Sequence, residues 1–236
     1  MAGSDNKAID RLVSDLRTAH GDNLASITLC HSSTGDSGEP SSDVLVVLKR
    51  IELSDLQRCR PSVSEWQKGR RNPPIFFTLD ELQRASDVFP IEFLQMEKAR
   101  KILYGSDPFQ FVEISRANLR RQTEYELRTK FIQLRRLYVS QTPSGASVSA
   151  LMVDSFPTFA ALFRAVLTLL NEEAPASNSE SVRRTIALLA LDRTPFEWII
   201  KNRQQATAAS EDEINGVFAA YLDQLARVID AVDHIE

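Results

Sequence analysis

Leu24-Ala-Ser-Ile-Thr-Leu-Cys-His-Ser-Ser-Thr-Gly-Asp-Ser-Gly-Glu-Pro-Ser-Ser-Asp-Val-Leu-Val-Val-Leu48 holds two apolar runs on either side of a small, polar loop. Ala25–Cys30, with Ile27, Thr28 and Leu29, predicts a strand, because β-branched and apolar residues fit a pleated, half-buried surface. Ser32–Ser42 contains Gly35, Gly38, Pro40 and five serines, so it predicts a loop. Val44–Leu48 is continuously apolar, as expected of a strand buried on both faces. Asp43 opens that second strand. Ser32, Ser33 and Thr34 offer hydroxyls and backbone N–H groups, the makings of an anion nest.

Working outward, Asn6–His20 predicts a helix, with Ile9, Leu12, Val13, Leu16 and Ala19 at helical spacing and Gly21 as its stop. Ser54–Trp66 predicts a helix interrupted at Pro61. Ile75–Thr78 is a short strand. Thr78 is the N-cap of a helix to about Val88, with Glu81 at the capping-box position. Ile91–Met96 predicts a strand that carries Glu92, and Ile102–Tyr104 a further strand before the Gly105-Ser-Asp-Pro108 turn. From there the pattern becomes helical. Residues 115–140 form an amphipathic helix with Leu119, Leu127, Phe131, Leu134 and Tyr138 on one face. Residues 147–171 form another, kinked near Pro157, and residues 181–204 a third, broken near Thr194-Pro195. Residues 211–234 form the last, opened by Ser210 with Glu213 at the capping-box spacing. The expected fold class is α+β: a mixed sheet with helices over residues 1–108, then an all-α bundle of about four helices over residues 109–236.

The chain has 236 residues and a formal net charge of −4, a balance that argues against a dedicated nucleic-acid binder. Cys30 and Cys59 lack metal-site spacing and fit reduced, structural thiols of a cytoplasmic protein. The first residues have no apolar core of a signal peptide, and the apolar stretch around Phe156–Leu170 is interrupted by Pro157 and Arg164, so no membrane span is expected. The basic residues between Arg116 and Arg136 alternate with Glu113, Glu124 and Glu126, as on a solvated helix face with pairs such as Glu124–Arg128.

The strand–loop–strand pattern with Asp43, followed by a helical half, resembles the nucleotidyltransferase superfamily, in the branch where a minimal catalytic domain precedes a helical one, as in kanamycin nucleotidyltransferase-like proteins. Phe89–Leu94 (Phe-Pro-Ile-Glu-Phe-Leu) and Glu124–Arg128 (Glu-Tyr-Glu-Leu-Arg) are also similar to segments of bacterial proteins with this architecture. The family signature is a strand, Gly-Ser, a short loop, then two acids alternating on the next strand. Here His31-Ser32 stands at the Gly-Ser position. Asp43 is the one acid that either alignment register retains, with Ser41 or Leu45 at the other position. Glu92 is the counterpart of the family's third acid.

Transfer on metal ions needs at least two converging carboxylates. The resemblance therefore implies a nucleotidyltransferase fold with a degenerate metal and phosphate site, acting as a non-catalytic or weakly active binding scaffold. In the alternative, Asp43 and Glu92 are catalytic, Asp43 holds Mg²⁺, Ser32 and Ser33 hold the phosphates, and NMP passes from an NTP to a hydroxyl of a small molecule or protein. A third reading makes the helical half an antitoxin-like module for a protein partner. Nucleotide and protein are thus the candidate partners. Arg227 and His234, on one face of the last helix, also resemble the Arg/His pair of HEPN ribonuclease domains; the plain reading is a histidine whose charge suits a helix C-terminus.

Overall fold

The computed structural model describes residues 2–31, 42–69, 71–98, 100–140, 144–204 and 209–235. The described residues divide into two compact units, one extending to Ser115 and one beginning at Arg116.

The first unit is built on a four-stranded mixed sheet. Its elements are α1 (Ala2–His20), β1 (Leu24–His31), β2 (Ser42–Leu48), α2 (Leu53–Gln67), β3 (Ile75–Thr78), α3 (Leu79–Ala85), α4 (Pro90–Lys98) and β4 (Arg100–Gly105). The strand order is β3-β2-β1-β4. β1 is antiparallel to both β2 and β4, and β3 runs parallel to β2, with α2 as the crossover that a parallel connection requires. β2 is buried on both faces, as its unbroken apolar run predicts. Val44, Val46 and Leu48 join Ile27 and Leu29 beneath Leu12 and Leu16 of α1 and Cys59 and Trp66 of α2. Leu45 and Val47 point the other way, with Cys30, into Leu82 of α3, Phe93 of α4 and Phe109.

The second unit consists of α5 (Arg116–Ser140), α6 (Gly145–Leu169), α7 (Asn178–Leu188), α8 (Thr194–Gln204) and α9 (Glu211–Asp233). α6 is its central helix. Phe159 and Phe196 meet the ring of Tyr221 edge-on, and the Ser155 and Tyr221 hydroxyls lie 3.3 Å apart. By length and composition α6 could cross a bilayer, but 61% of its most apolar window is buried inside the protein. Thr78, Ser144, Ser177 and Ser210 cap α3, α6, α7 and α9, and those at Thr78 and Ser210 are full capping boxes.

Three expectations are corrected. Ile91–Met96 is helical, within α4. Alternation of Ile91 and Phe93 suggests a strand, but Pro90 suits a first helical turn, and Phe93 and Met96, one turn apart, reach the same core. Pro61 sits inside α2 without ending it; it is exposed, so the backbone acceptor it leaves unpaired lies where water reaches it. The helical unit has five described helices rather than about four, because the expected break before Pro195 separates α7 from α8 as two helices. Leu191 N–H bonds to Ile186 O and Ala190 N–H to Ala187 O, a Schellman stop that puts Ala190 at φ 50°.

His20, at the end of α1, sets a pH dependence. It is buried, its ring meets Phe76 edge-on, and neither ring nitrogen has a hydrogen-bond partner. Burial holds its pKa below the usual 6.5; the Asp55 carboxylate opposes this and the Arg58 guanidinium adds to it. The unfolded chain therefore binds more protons just below pH 6.5. The stabilisation from neutral His20 is complete above that pH and falls as the pH drops through the window below it. Urea midpoints of a Trp198→Phe background, followed by Trp66 fluorescence, are expected to decline between about pH 7 and 5.5. His20→Leu is expected to flatten that decline.

Candidate functional site

The sheet register brings the candidate acid into a row of side chains that crosses three strands. Cys30 of β1 pairs with Asp43 of β2 on one side and with Arg100 of β4 on the other. Cys30 faces the core under Phe93 and Phe109. Half-buried Asp43 accepts a 2.9 Å hydrogen bond from Asn72 Nδ2. The Asn72 carbonyl in turn accepts from Trp66 Nε1 at 2.8 Å, so the loop after α2 is tied both to the helix and to the acid.

On the opposite side, Arg100 grips Asp107. Its Nη2 lies 2.7 Å from Oδ2, and its Nε lies 3.1 and 3.2 Å from the two carboxylate oxygens. The guanidinium also lies over the Phe109 ring, 5.3 Å from its centre. Asp107 caps the 3₁₀ turn Pro108–Phe111 by accepting from Phe109 N–H at 3.0 Å. Burial alone would raise the Asp107 pKa, but the hydrogen bonds from Arg100 and Phe109 and the Arg100 charge outweigh it and hold the carboxyl below its usual range. Burial, with help from Asp43 and Asp107 and against Arg100, pushes the Cys30 thiol up to about 12. A thiol held so high stays protonated at neutral pH.

Asp43 stands half-buried on β2 and Glu92 on α4. Glu92 is exposed in the first turn of α4, where a carboxylate suits the helix N-terminus. The acid that joins Asp43 in the surroundings of Cys30 is Asp107. Sequence reading missed it because Asp107-Pro108 looks like turn punctuation. Arg100 and Asn72 were missed because nothing local marks a cross-strand partner. Ser32 and Ser33 lie outside the described residues, as does Ser41. Arg227 is held by Asp223 at 3.1 Å, and the His234 ring lies 2.6 Å from the Asp230 carbonyl, so each is engaged within its own helix.

Mg²⁺ requires oxygen ligands that converge. Both Asp107 oxygens are bonded to Arg100, and among the described residues no group of three or more His, Cys, Asp or Glu side chains gathers as a metal site. Among the described residues, those around Cys30 therefore do not by themselves supply such a ligand set. A guanidinium supplies the positive charge beside Cys30.

No protein-family profile matches the chain, and no curated protein matches it. Among solved structures it is similar to spectinomycin adenyltransferase AAD(9) from Enterococcus faecialis, crystallised with ATP and spectinomycin. The TM-score is 0.54 at 13% identity, over 94% of this chain and 99% of that one. The mixed sheet, the helices that cover it and the helical second unit, taken with that likeness, establish that the chain has a nucleotidyltransferase-like fold.

Proposed function

We propose that this chain is a cytoplasmic, non-catalytic or weakly active binding scaffold on a nucleotidyltransferase-like fold. The observation that carries the reading is the Arg100–Asp107 pair. It stands beside Cys30 and Asp43, where metal-dependent transfer needs a second free carboxylate. With Asp107 committed to Arg100, no second acid among the described residues joins Asp43 in a metal-holding group. What remains is a polar patch with one acid and one guanidinium, suited to holding a ligand rather than to polarising an α-phosphate. The likeness to a protein crystallised with ATP makes a nucleotide the first ligand class to try.

Thermal-shift titrations with ATP, GTP, CTP and UTP, in Mg²⁺, in Mn²⁺ and in EDTA, test this. A ligand at ten times its Kd stabilises the folded state by about 1.4 kcal/mol, so millimolar sites register. The expected result is that any nucleotide shift is the same with and without metal. A metal-dependent shift that Asp43→Asn abolishes would revive NMP transfer and overturn the scaffold reading.

A further inference from the structure

A recess of about 430 Å³ lies on the side of the sheet covered by α1 and α2, between α1 and the C-terminal end of α2. That volume is typical of small-molecule sites. Lys7, Arg11 and Asp15 line it from successive turns of α1, and Glu65, Lys68 and Arg71 from α2 and the loop beyond it. Four cations thus face two carboxylates in a chain whose net charge is −4. Glu65 is already shared by Arg11 at 3.7 Å and Lys68 at 2.5 Å.

These cations also join α1 to α2 and neutralise the carbonyl end of α2. That role does not account for the set. Arg11 and Lys68 are 66% and 72% exposed, and ion pairs that open contribute under about 1 kcal/mol. Arg71 is held more deliberately. Its guanidinium lies 4.7 Å from the centre of the Trp66 ring, with Nη1 3.4 Å from the Trp66 carbonyl. A side chain at position 69 would put its Cβ 2.0 Å from that nitrogen, so Gly69 keeps open the space in which Arg71 rests. An arginine set on an aromatic plane, beside two lysines and a second arginine, is arranged to meet phosphate oxygens.

We infer that this recess binds a multivalent phosphate anion, without metal, as a site separate from the Asp43–Cys30–Arg100 row. The ligand is either free polyphosphate or the phosphate tail of a nucleotide. Calorimetric titration of the full chain in EDTA, with sodium tripolyphosphate and separately with ATP, tests it. Binding of tripolyphosphate is expected, weakening as salt is raised. Equal affinity for ATP assigns the recess to the phosphate tail alone, and tighter ATP binding adds contacts to the nucleoside. The exposed pair Lys7→Ala/Lys68→Ala is expected to weaken binding about tenfold or more, at roughly 1.4 kcal/mol per decade. Gly69→Ala, which removes no charge, is expected to weaken it through displacement of Arg71. No heat with either anion, or full binding in both recess variants, overturns the inference. So does loss of tripolyphosphate binding in Asp43→Asn alone. A metal-dependent nucleotide shift at Asp43 sinks the scaffold proposal and leaves this one standing, so the two fail separately.

Discussion

Gly105→Ala is expected to destabilise the α/β unit by at least about 3 kcal/mol, enough to lose most of its folded population in mild urea. Gly105 ends β4 at φ 75° and pairs with Ser26 of β1. An added Cβ would sit 2.0 Å from the Ala25 carbonyl oxygen and 3.0 Å from both the Ala25 carbonyl carbon and Ser26 Cα. All three are backbone atoms of the neighbouring strand, so no side-chain rotation relieves the contact. The left-handed conformation costs an L-residue about 1–2 kcal/mol by itself, and relief of the clash means moving β4 off β1. The chemical consequence is measurable. β4 carries Arg100, and the turn after it carries Asp107, so their withdrawal uncovers Cys30. A thiol reagent that leaves wild-type Cys30 untouched is expected to label it in the variant. Gly21→Ala is the control. Gly21 also has positive φ, at 48°, but nothing lies within 4 Å of its added Cβ. Its expected cost is the backbone strain alone. Equal urea midpoints for the two variants would refute the steric argument.

Phe93→Ala is expected to cost about 3–5 kcal/mol, the range for removing a buried aromatic ring. Phe93 is 1% exposed. It meets Phe77 edge-on at 6.1 Å and Phe109 at 6.3 Å, and packs over Cys30, Leu45 and Val47. Its loss empties the space between α4 and the sheet and loosens Phe109, the ring under the Arg100 guanidinium. The neighbouring Glu92→Ala is expected to change stability by less than about 0.5 kcal/mol, because Glu92 is exposed. The contrast between two adjacent residues also tests the site assignment. If Glu92 belonged to a buried catalytic set, its neutralisation would shift stability and nucleotide binding together. The measurement is the urea midpoint of each variant, with ATP titrations alongside.

Much of the fold was legible because its signals are local. Val44–Leu48 has no polar side chain, so it had to be a strand covered on both faces, and its residues divide between the two cores as alternation requires. Thr78 and Ser210 cap their helices because a hydroxyl three residues before a glutamate satisfies two N–H groups within one turn. Glu124–Arg128 pairs at 2.8 Å for the same reason of spacing. Two elements were less legible. Phe89–Leu94 is short and apolar enough to fit either period, and the packing of Phe93 and Met96 beneath α4 decides it. Ala190 stops α7 in a left-handed conformation without the glycine that usually announces it.

The site divides along the same line. The sequence by itself determined that an acid stands at the start of the apolar run of β2, that only one such acid stands there, and that a Gly/Ser-rich loop precedes it. Those facts need no partner strand. Only the tertiary structure decided what Asp43 stands beside. The register of β1 with β2 and β4 sets Asp43, Cys30 and Arg100 in one row, and the turn after Gly105 returns Asp107 to Arg100. Residues remote in the chain meet there through backbone hydrogen bonds that any residue makes, so no local pattern of side chains records which of them will face each other.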